Sequence, residues 1–300
     1  MDDIEQEGRP LGRLSPPDDD LREIDQQIES GEFESAIDSL DDYHGETDYH
    51  HDWAHFLKGL GYYGLEHFEA GYSAFELPYE VTAGPVGQEY ASERFRLAAR
   101  SLKKMGWLHR RNEEFRQAYG IHAIGYHYLL EHGSYREIHD ATISLDIDAY
   151  FLKNATLSRM WLERSIEAAR LIKQPIARFK ALGMSWNNLA GTLCELQRFE
   201  EAEEAMESSL DYWGQYEDRT TESEHRRVWA QYGIGDVYQR WGQHLDEVGD
   251  DAAEAKLEAA HDALTDAIDM ARDEGMTTGT RQPIESKLER IQGTLIDADD

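Results

Sequence analysis

Arg96, Arg100, Lys103, Trp107 and Arg110 fall within one narrow arc when the segment RFRLAARSLKKMGWLHRR, residues 94–111, is projected at about 100° per residue; Lys104 and Arg111 lie at its edge. An indole among guanidinium and ammonium groups can stack on a flat group, while the cations hold carboxylate or phosphate. Ala98, Leu102, Met105 and Leu108 occupy the opposite side and can join a core. The competing arrangement is internal. With 61 Asp and Glu in the chain, the same cations can pair with the protein's own carboxylates, as charged helix faces commonly do.

Other reactive residue types are less organised. His51 and His55 stand one turn apart beside His50 and Asp52, and Glu222-x-x-His225 and Glu258-x-x-His261 copy a di-iron spacing. With 34 Glu and 13 His, such pairs arise by chance, and neither a metal nor a cofactor is expected. A second basic run, Arg159, Arg164, Arg170, Lys173, Arg178 and Lys180, does not share one face, so it marks a basic region rather than a pocket. Cys194 is alone between Leu193 and Leu196, which suits a packed thiol and not a nucleophile. No nucleophile elbow, phosphate loop or dinucleotide fingerprint occurs, so no catalytic residues are expected and the chain does not read as an enzyme.

Charge narrows the partners. The net is −31, and only eight of the 30 basic residues are Lys. Such a surface repels itself at ordinary salt, while molar salt shortens the screening length to about 3 Å. An acidic, lysine-poor and aromatic-rich composition resembles proteins of salt-accumulating halophiles. The sign reverses in the middle: residues 90–180 hold 16 basic against 10 acidic side chains. Nucleic acid is disfavoured by the net charge and by the salt that would screen it. An acidic protein or peptide segment meets the same objection in milder form. No apolar run reaches the length of a membrane span, and the start, MDDIEQEGRP, has neither the basic end nor the apolar stretch of a secretion signal. A cytoplasmic protein without membrane insertion is expected.

The elements that must position these residues are helices. Residues 1–16 read as a disordered N-terminal tail and 17–300 as one helical domain. Pro-Pro followed by Asp18-Asp19-Asp20 makes a helix entry, and Ser30-Gly31 a break. Hairpins are expected near 17–44, 52–79, 90–131, 135–174, 176–214 and 222–274, with a closing helix over 280–296. A Gly- and Pro-rich break is expected from Leu77-Pro78 to Gly87, and another at Val248-Gly249-Asp250-Asp251. Intervals repeat: Trp186 to Ala202 and Leu102 to Ala118 are both sixteen residues, and Gly59 and Gly71 mirror Ala190 and Ala202.

These residues carry a family likeness. Trp186, Leu189, Ala190 and Leu193, followed by Ala202 and Met206, resemble the two helices of a tetratricopeptide-type repeat. The likeness is best over 176–214 and weaker over 50–76 and 98–123, where His55 and Leu102 replace the Trp. It implies an all-α solenoid of about six stacked hairpins. It also implies that the first helix of each hairpin lines a concave groove, which makes Arg96, Arg100, Lys103, Lys104, Trp107, Arg110 and Arg111 partner-binding candidates. The expected function is a non-catalytic protein–protein interaction scaffold. The alternatives are a ligand- or peptide-sensing regulator acting through a separate effector and, further off, a metal-dependent helical enzyme.

Overall fold

The structure, a computed structural model, describes residues 14–81, 90–215 and 221–299. Among these residues thirteen helices and no strands occur: α1 (Asp19–Ser30), α2 (Phe33–Asp41), α3 (Asp48–Gly64), α4 (Phe68–Val81), α5 (Ala91–Arg111), α6 (Phe115–His132), α7 (Tyr135–Phe151), α8 (Ala155–Arg170), α9 (Pro175–Glu195), α10 (Phe199–Gly214), α11 (Thr221–Val248), α12 (Ala253–Asp273) and α13 (Thr278–Asp299). This is an all-α solenoid pattern: α1–α2, α3–α4 and α5–α6 pair, with α7 against α6, and α9–α10 and α11–α12 pair, with α8 against α9 and α13 against α12. The hairpin expected over 135–174 is divided instead, its first helix packing back on α6 and its second forward on α9. The chain forms two compact units, residues 1–152 and 153–300.

Turn chemistry recurs. Gly31, Glu66, Glu113, Gln197, Gly249 and Gly275 all have left-handed backbone just after a helix. The next residue's N–H reaches back five residues: His67 to the Tyr62 carbonyl, Glu114 to His109, Arg198 to Leu193. That bond satisfies a terminal carbonyl and reverses the chain in three residues. Left-handed backbone costs a non-glycine residue about 1–2 kcal/mol, so packing between the paired helices must hold Glu66, Glu113 and Gln197 there.

In the first unit the core joins Leu21, Ile24, Leu40, Trp53, Leu57, Phe75, Leu97, Leu102 and Met105. Small residues set the helix spacing. A Cβ on Gly59 would come within 2.6 Å of the Phe75 ring, and one on Gly106 within 2.3 Å of His122. Both glycines lie sixteen residues before the ring they admit, so the repeated interval is a packing contact between paired helices.

Two expectations shift. Leu14, placed in the tail by sequence, is only 5% exposed and packs in this core, because its side chain finds an apolar seat beside α5; residues 1–13 lie outside the described ones. Helix α4 runs through Leu77-Pro78 to Val81 rather than breaking there. One interior proline so near a helix end forfeits a single backbone bond, which the rest of the helix can bear. Residues 82–89, the remainder of the expected break, lie outside the described residues.

In the second unit Pro175 opens α9 at its first turn, capped by the Gln174 side chain. Hydroxyl pairs tie α8 to α9, Ser158 to Thr192 at 2.9 Å and Ser165 to Ser185 at 2.8 Å, where small side chains let the backbones approach. Leu189, Ala190, Leu193, Ala202 and Met206 are buried; Trp186 is half-buried. Helices α11 to α13 share a core of Val228, Leu264, Ile268, Ile284 and Ile291.

Candidate functional site

Helix α5 places its cations on two stripes. Arg96, Lys103 and Arg110 recur every seven residues and meet α7, whose Glu137, Asp140, Ser144 and Asp148 follow a matching spacing. Arg96 is 4% exposed and donates to Glu137 at 3.0 and 3.2 Å. Glu137 also accepts from the Ser134 backbone N–H at 3.0 Å and hydroxyl at 2.9 Å, completing the cap of α7. Burial pushes the Glu137 carboxyl up, but the hydrogen bonds from Ser134 and the Arg96 guanidinium outweigh it, and its pKa is lowered. Arg110 donates to Asp148 at 2.8 Å and to the Ser144 carbonyl at 3.0 Å. Asp148 is 0% exposed and takes a second partner, the His122 ring at 2.5 Å. The other ring nitrogen of His122 lies 3.1 Å from the Lys103 carbonyl, a contact that Gly106 makes possible. Asp140 is likewise lowered: burial opposes this, and His139, Lys103 and Arg136 overcome it.

The second stripe is Lys104, Trp107 and Arg111. Its partners are mostly rings. The Lys104 ammonium stands 4.8 Å from the Trp107 ring centre and 5.2 Å from that of Tyr63 on α3. Lys103 approaches the same indole at 5.5 Å. The Arg111 guanidinium lies 4.1 Å from the ring of Phe68, the first residue of α4. Among the described residues Lys103, Lys104 and Arg111 have no carboxylate within ion-pair distance. Burial, and then the neighbouring Lys103, lower the Lys104 pKa. Arg100 stands between the stripes, 3.5 Å from Glu137 and donating to the Leu14 carbonyl at 3.5 Å. Arg111 also borders a cleft of about 310 Å³ between α4 and the end of α5, lined by Phe68, Tyr72, Leu108 and His109, with Glu69 the one carboxylate in its lining.

All seven candidates therefore lie on α5, but they divide. Arg96, Arg100 and Arg110 are engaged by Glu137 and Asp148, whereas Lys103, Lys104, Trp107 and Arg111 form a cation–aromatic surface. Tyr63 and Phe68 were not expected there, because they come from the preceding hairpin. The second basic run is dispersed, with Arg159 on Glu163 at 2.8 Å, Arg164 over Trp161 and Arg178 over Phe179. Among the described residues no group of three or more His, Cys, Asp or Glu is arranged to hold a metal ion, and His51 is exposed while His55 is half-buried. Burial pushes the Cys194 thiol up to about 11, leaving it protonated at neutral pH.

The second unit has a cleft of about 470 Å³ among α8, α9 and α10. Its floor carries Ile166, Trp186, Leu189 and Leu193, and its walls carry Arg159, Arg170, Glu163, Glu167, Glu201 and Glu204. The buried Trp186 Nε1 has no hydrogen-bond partner among the described residues.

Comparison with known proteins follows the architecture. No family profile and no curated protein matches the sequence. Solved structures do match. A signal transduction ATPase with numerous domains and a tetratricopeptide repeat sensor, from Pyrococcus horikoshii, superposes with a TM-score of 0.59 at 12% identity, over 93% of this chain and 43% of that one. BtubC from P. vanneervenii gives 0.58 at 11% identity, over 86% and 92% of the two chains. The apo form of RapI gives 0.57 at 15% identity, over 92% and 81%. The fold is tetratricopeptide-like. Within it, α3 and α5 are the first helices of the hairpins α3–α4 and α5–α6, so the candidate residues lie on a first helix of the kind that the sequence likeness implied. Among the described residues no helix is long and apolar enough to cross a membrane.

Proposed function

We propose that this chain is a non-catalytic tetratricopeptide-like scaffold that captures an acidic segment of a protein partner on Lys103, Lys104, Trp107 and Arg111. One observation carries the reading: in a chain of net charge −31, Lys104 and Arg111 rest on rings instead of carboxylates. A cation held over an aromatic face is oriented yet keeps donors available for an incoming carboxylate. The cleft beside Arg111 offers an apolar seat, so the segment that fits carries Glu or Asp beside one bulky apolar residue. The high acidity is read as adaptation to a salt-rich cytoplasm, where self-repulsion is screened.

The test is fluorescence anisotropy with a labelled peptide of Glu, Leu and Phe. Lys104→Ser with Arg111→Ser is expected to weaken binding about tenfold, equivalent to about 1.4 kcal/mol. Equal affinity in the double variant would remove the reading. A second reading, a sensor of small ligands, is favoured by Trp186, which lines the cleft of the second unit and whose buried indole N–H has no hydrogen-bond partner among the described residues. A ligand seated there would raise the melting temperature and alter Trp186 fluorescence, and Trp186→Phe would lose both responses.

A further inference from the structure

We infer that Lys256 is a methylation site, and that one or more methyl groups on its side-chain nitrogen are held in a cage built by Trp241, Tyr238 and Glu203. The site lies wholly in the second unit and uses none of the α5 residues.

The cage already seats an ammonium. Lys256 Nζ stands 3.4 Å from the Trp241 ring centre and 5.0 Å from that of Tyr238, both on α11. Trp241 is fixed in turn by Phe199 of α10, stacked on it at 5.9 Å and 10°. The Tyr238 hydroxyl donates to Glu203, which ties that ring to α10. Burial, and then this carboxylate, push the Tyr238 pKa up to about 12, so the ring stays a neutral phenol. Glu203 itself stands 3.9 Å from Lys256 Nζ, within ion-pair range but beyond hydrogen-bond reach.

Hydrogen bonding separates this lysine from others. Lys58 donates to Asp41 and Lys287 to Asp236, so full methylation of either nitrogen forfeits a bond. Among the described residues Lys256 Nζ has two rings and a carboxylate around it and no hydrogen bond to lose. A methylated ammonium keeps its charge, sheds donors and gains apolar surface, which suits it to aromatic faces with an anion beside them. Lys104 also lies between two rings, but no carboxylate stands within ion-pair distance of it. Access fits as well. Lys256 is the fourth residue of α12, just past the turn at the left-handed Gly249, and its side chain is 26% exposed. Rotation about its own bonds presents the nitrogen to an enzyme.

The co-substrate is a sulfonium methyl donor, brought by a separate methyltransferase. Lys256 Nζ first gives a proton to a base of that enzyme. Its lone pair then attacks the methyl carbon: the N–C bond forms as the C–S bond breaks, and the electron pair leaves with sulfur as a neutral thioether. The positive charge passes from sulfur to nitrogen, and no oxidant is consumed. Back in its seat, the methylated ammonium ties α12 to α10 and α11.

Two measurements test this, and both must succeed. In the first, the chain is isolated from its own cells, and the peptide carrying Lys256 is read by high-resolution mass spectrometry. Methylated Lys256 is expected. An unmodified residue overturns the site, and so does an acetylated one, because acetylation removes the charge that the cage holds. In the second, Lys256→Cys in a Cys194→Ala background, where the new thiol is the sole one, is alkylated with bromoethyl trimethylammonium and, in parallel, with bromoethylamine. The two products differ only in their methyl groups. The trimethylammonium proton signal is expected to lie upfield of its position in urea, with a nuclear Overhauser contact to the Trp241 ring. The methylated product is expected to melt about 2 °C above the other. A signal at its urea position, or melting no higher than the unmethylated product, overturns the cage.

Discussion

Arg110 and Arg111 are adjacent in sequence, share a helix and have opposite surroundings. Arg110 points at α7 and shares the fully buried Asp148 with His122. Arg111 turns about 100° away, is exposed, and lies on the ring of Phe68. Arg96 repeats the role of Arg110 on Glu137 and Lys104 repeats that of Arg111 on rings, while Arg100 and Lys103 fall between the two. The α7-facing stripe spends its charge on fixing two helices to each other, and the other keeps its charge at the surface. A basic patch on an acidic protein is thus two things: a structural ladder and an exposed remainder, which is the surface proposed above for docking.

The ladder should break hardest at its buried acid. Asp148→Ala leaves Arg110 and His122 facing one another without their shared carboxylate, and it is expected to cost about 3–5 kcal/mol in urea unfolding. A cost below about 1 kcal/mol would mean that the ladder is ornamental. Gly106→Ala pushes a methyl into the His122 ring and is expected to cost about 1–3 kcal/mol, measured the same way. His122→Ala in the Gly106→Ala background should then cost less than His122→Ala alone, since the clash goes with the ring.

Glu137 sharpens the comparison through pH. Its folded pKa lies below the ordinary value of 4.5, so the folded state binds its proton less readily than the unfolded state. Its contribution is therefore present above that value and is lost as pH falls through the lowered folded pKa. The stability gap between the wild type and Glu137→Gln is expected to be full at pH 7 and to shrink below about pH 4. A gap that widens in acid contradicts the pairing with Arg96.

Salt should separate the stripes with smaller effects. Melting is expected to strengthen from low salt toward molar KCl as surface repulsion is screened, while peptide affinity at the exposed stripe falls. The cost of Asp148→Ala should change little, because a buried pair is poorly screened.

Much of this could be read from residue order, and the limits have physical causes. The match at Trp186, Leu189, Ala190 and Leu193, and the sixteen-residue intervals from Trp186 to Ala202 and Leu102 to Ala118, point to helix pairs, and the same interval separates Gly59 from Phe75 and Gly106 from His122, which meet across a hairpin. Projecting residues 94–111 gave the azimuth of each cation on α5. It could not say which neighbour each azimuth meets. Glu137 and Asp148 lie about forty residues away, and their register depends on how α6 and the turns place α7. The left-handed backbone at Glu66, Glu113 and Gln197 carries no glycine to mark it, because packing holds it there. Leu14 lies in the stretch that reads as a tail, since one Leu between Arg13 and Ser15 carries no periodicity, yet it is core.

The central claim, that neighbouring cations on α5 do different work, is tested most directly by Arg110→Ala and Arg111→Ala, each measured for urea stability and for affinity to the acidic peptide under conditions where both remain folded. The account predicts a crossing. Arg110→Ala should lose about 3 kcal/mol of stability with affinity kept within about twofold. Arg111→Ala should lose less than about 1 kcal/mol of stability while binding weakens several-fold. Two variants that lose stability and affinity in the same proportion would contradict it.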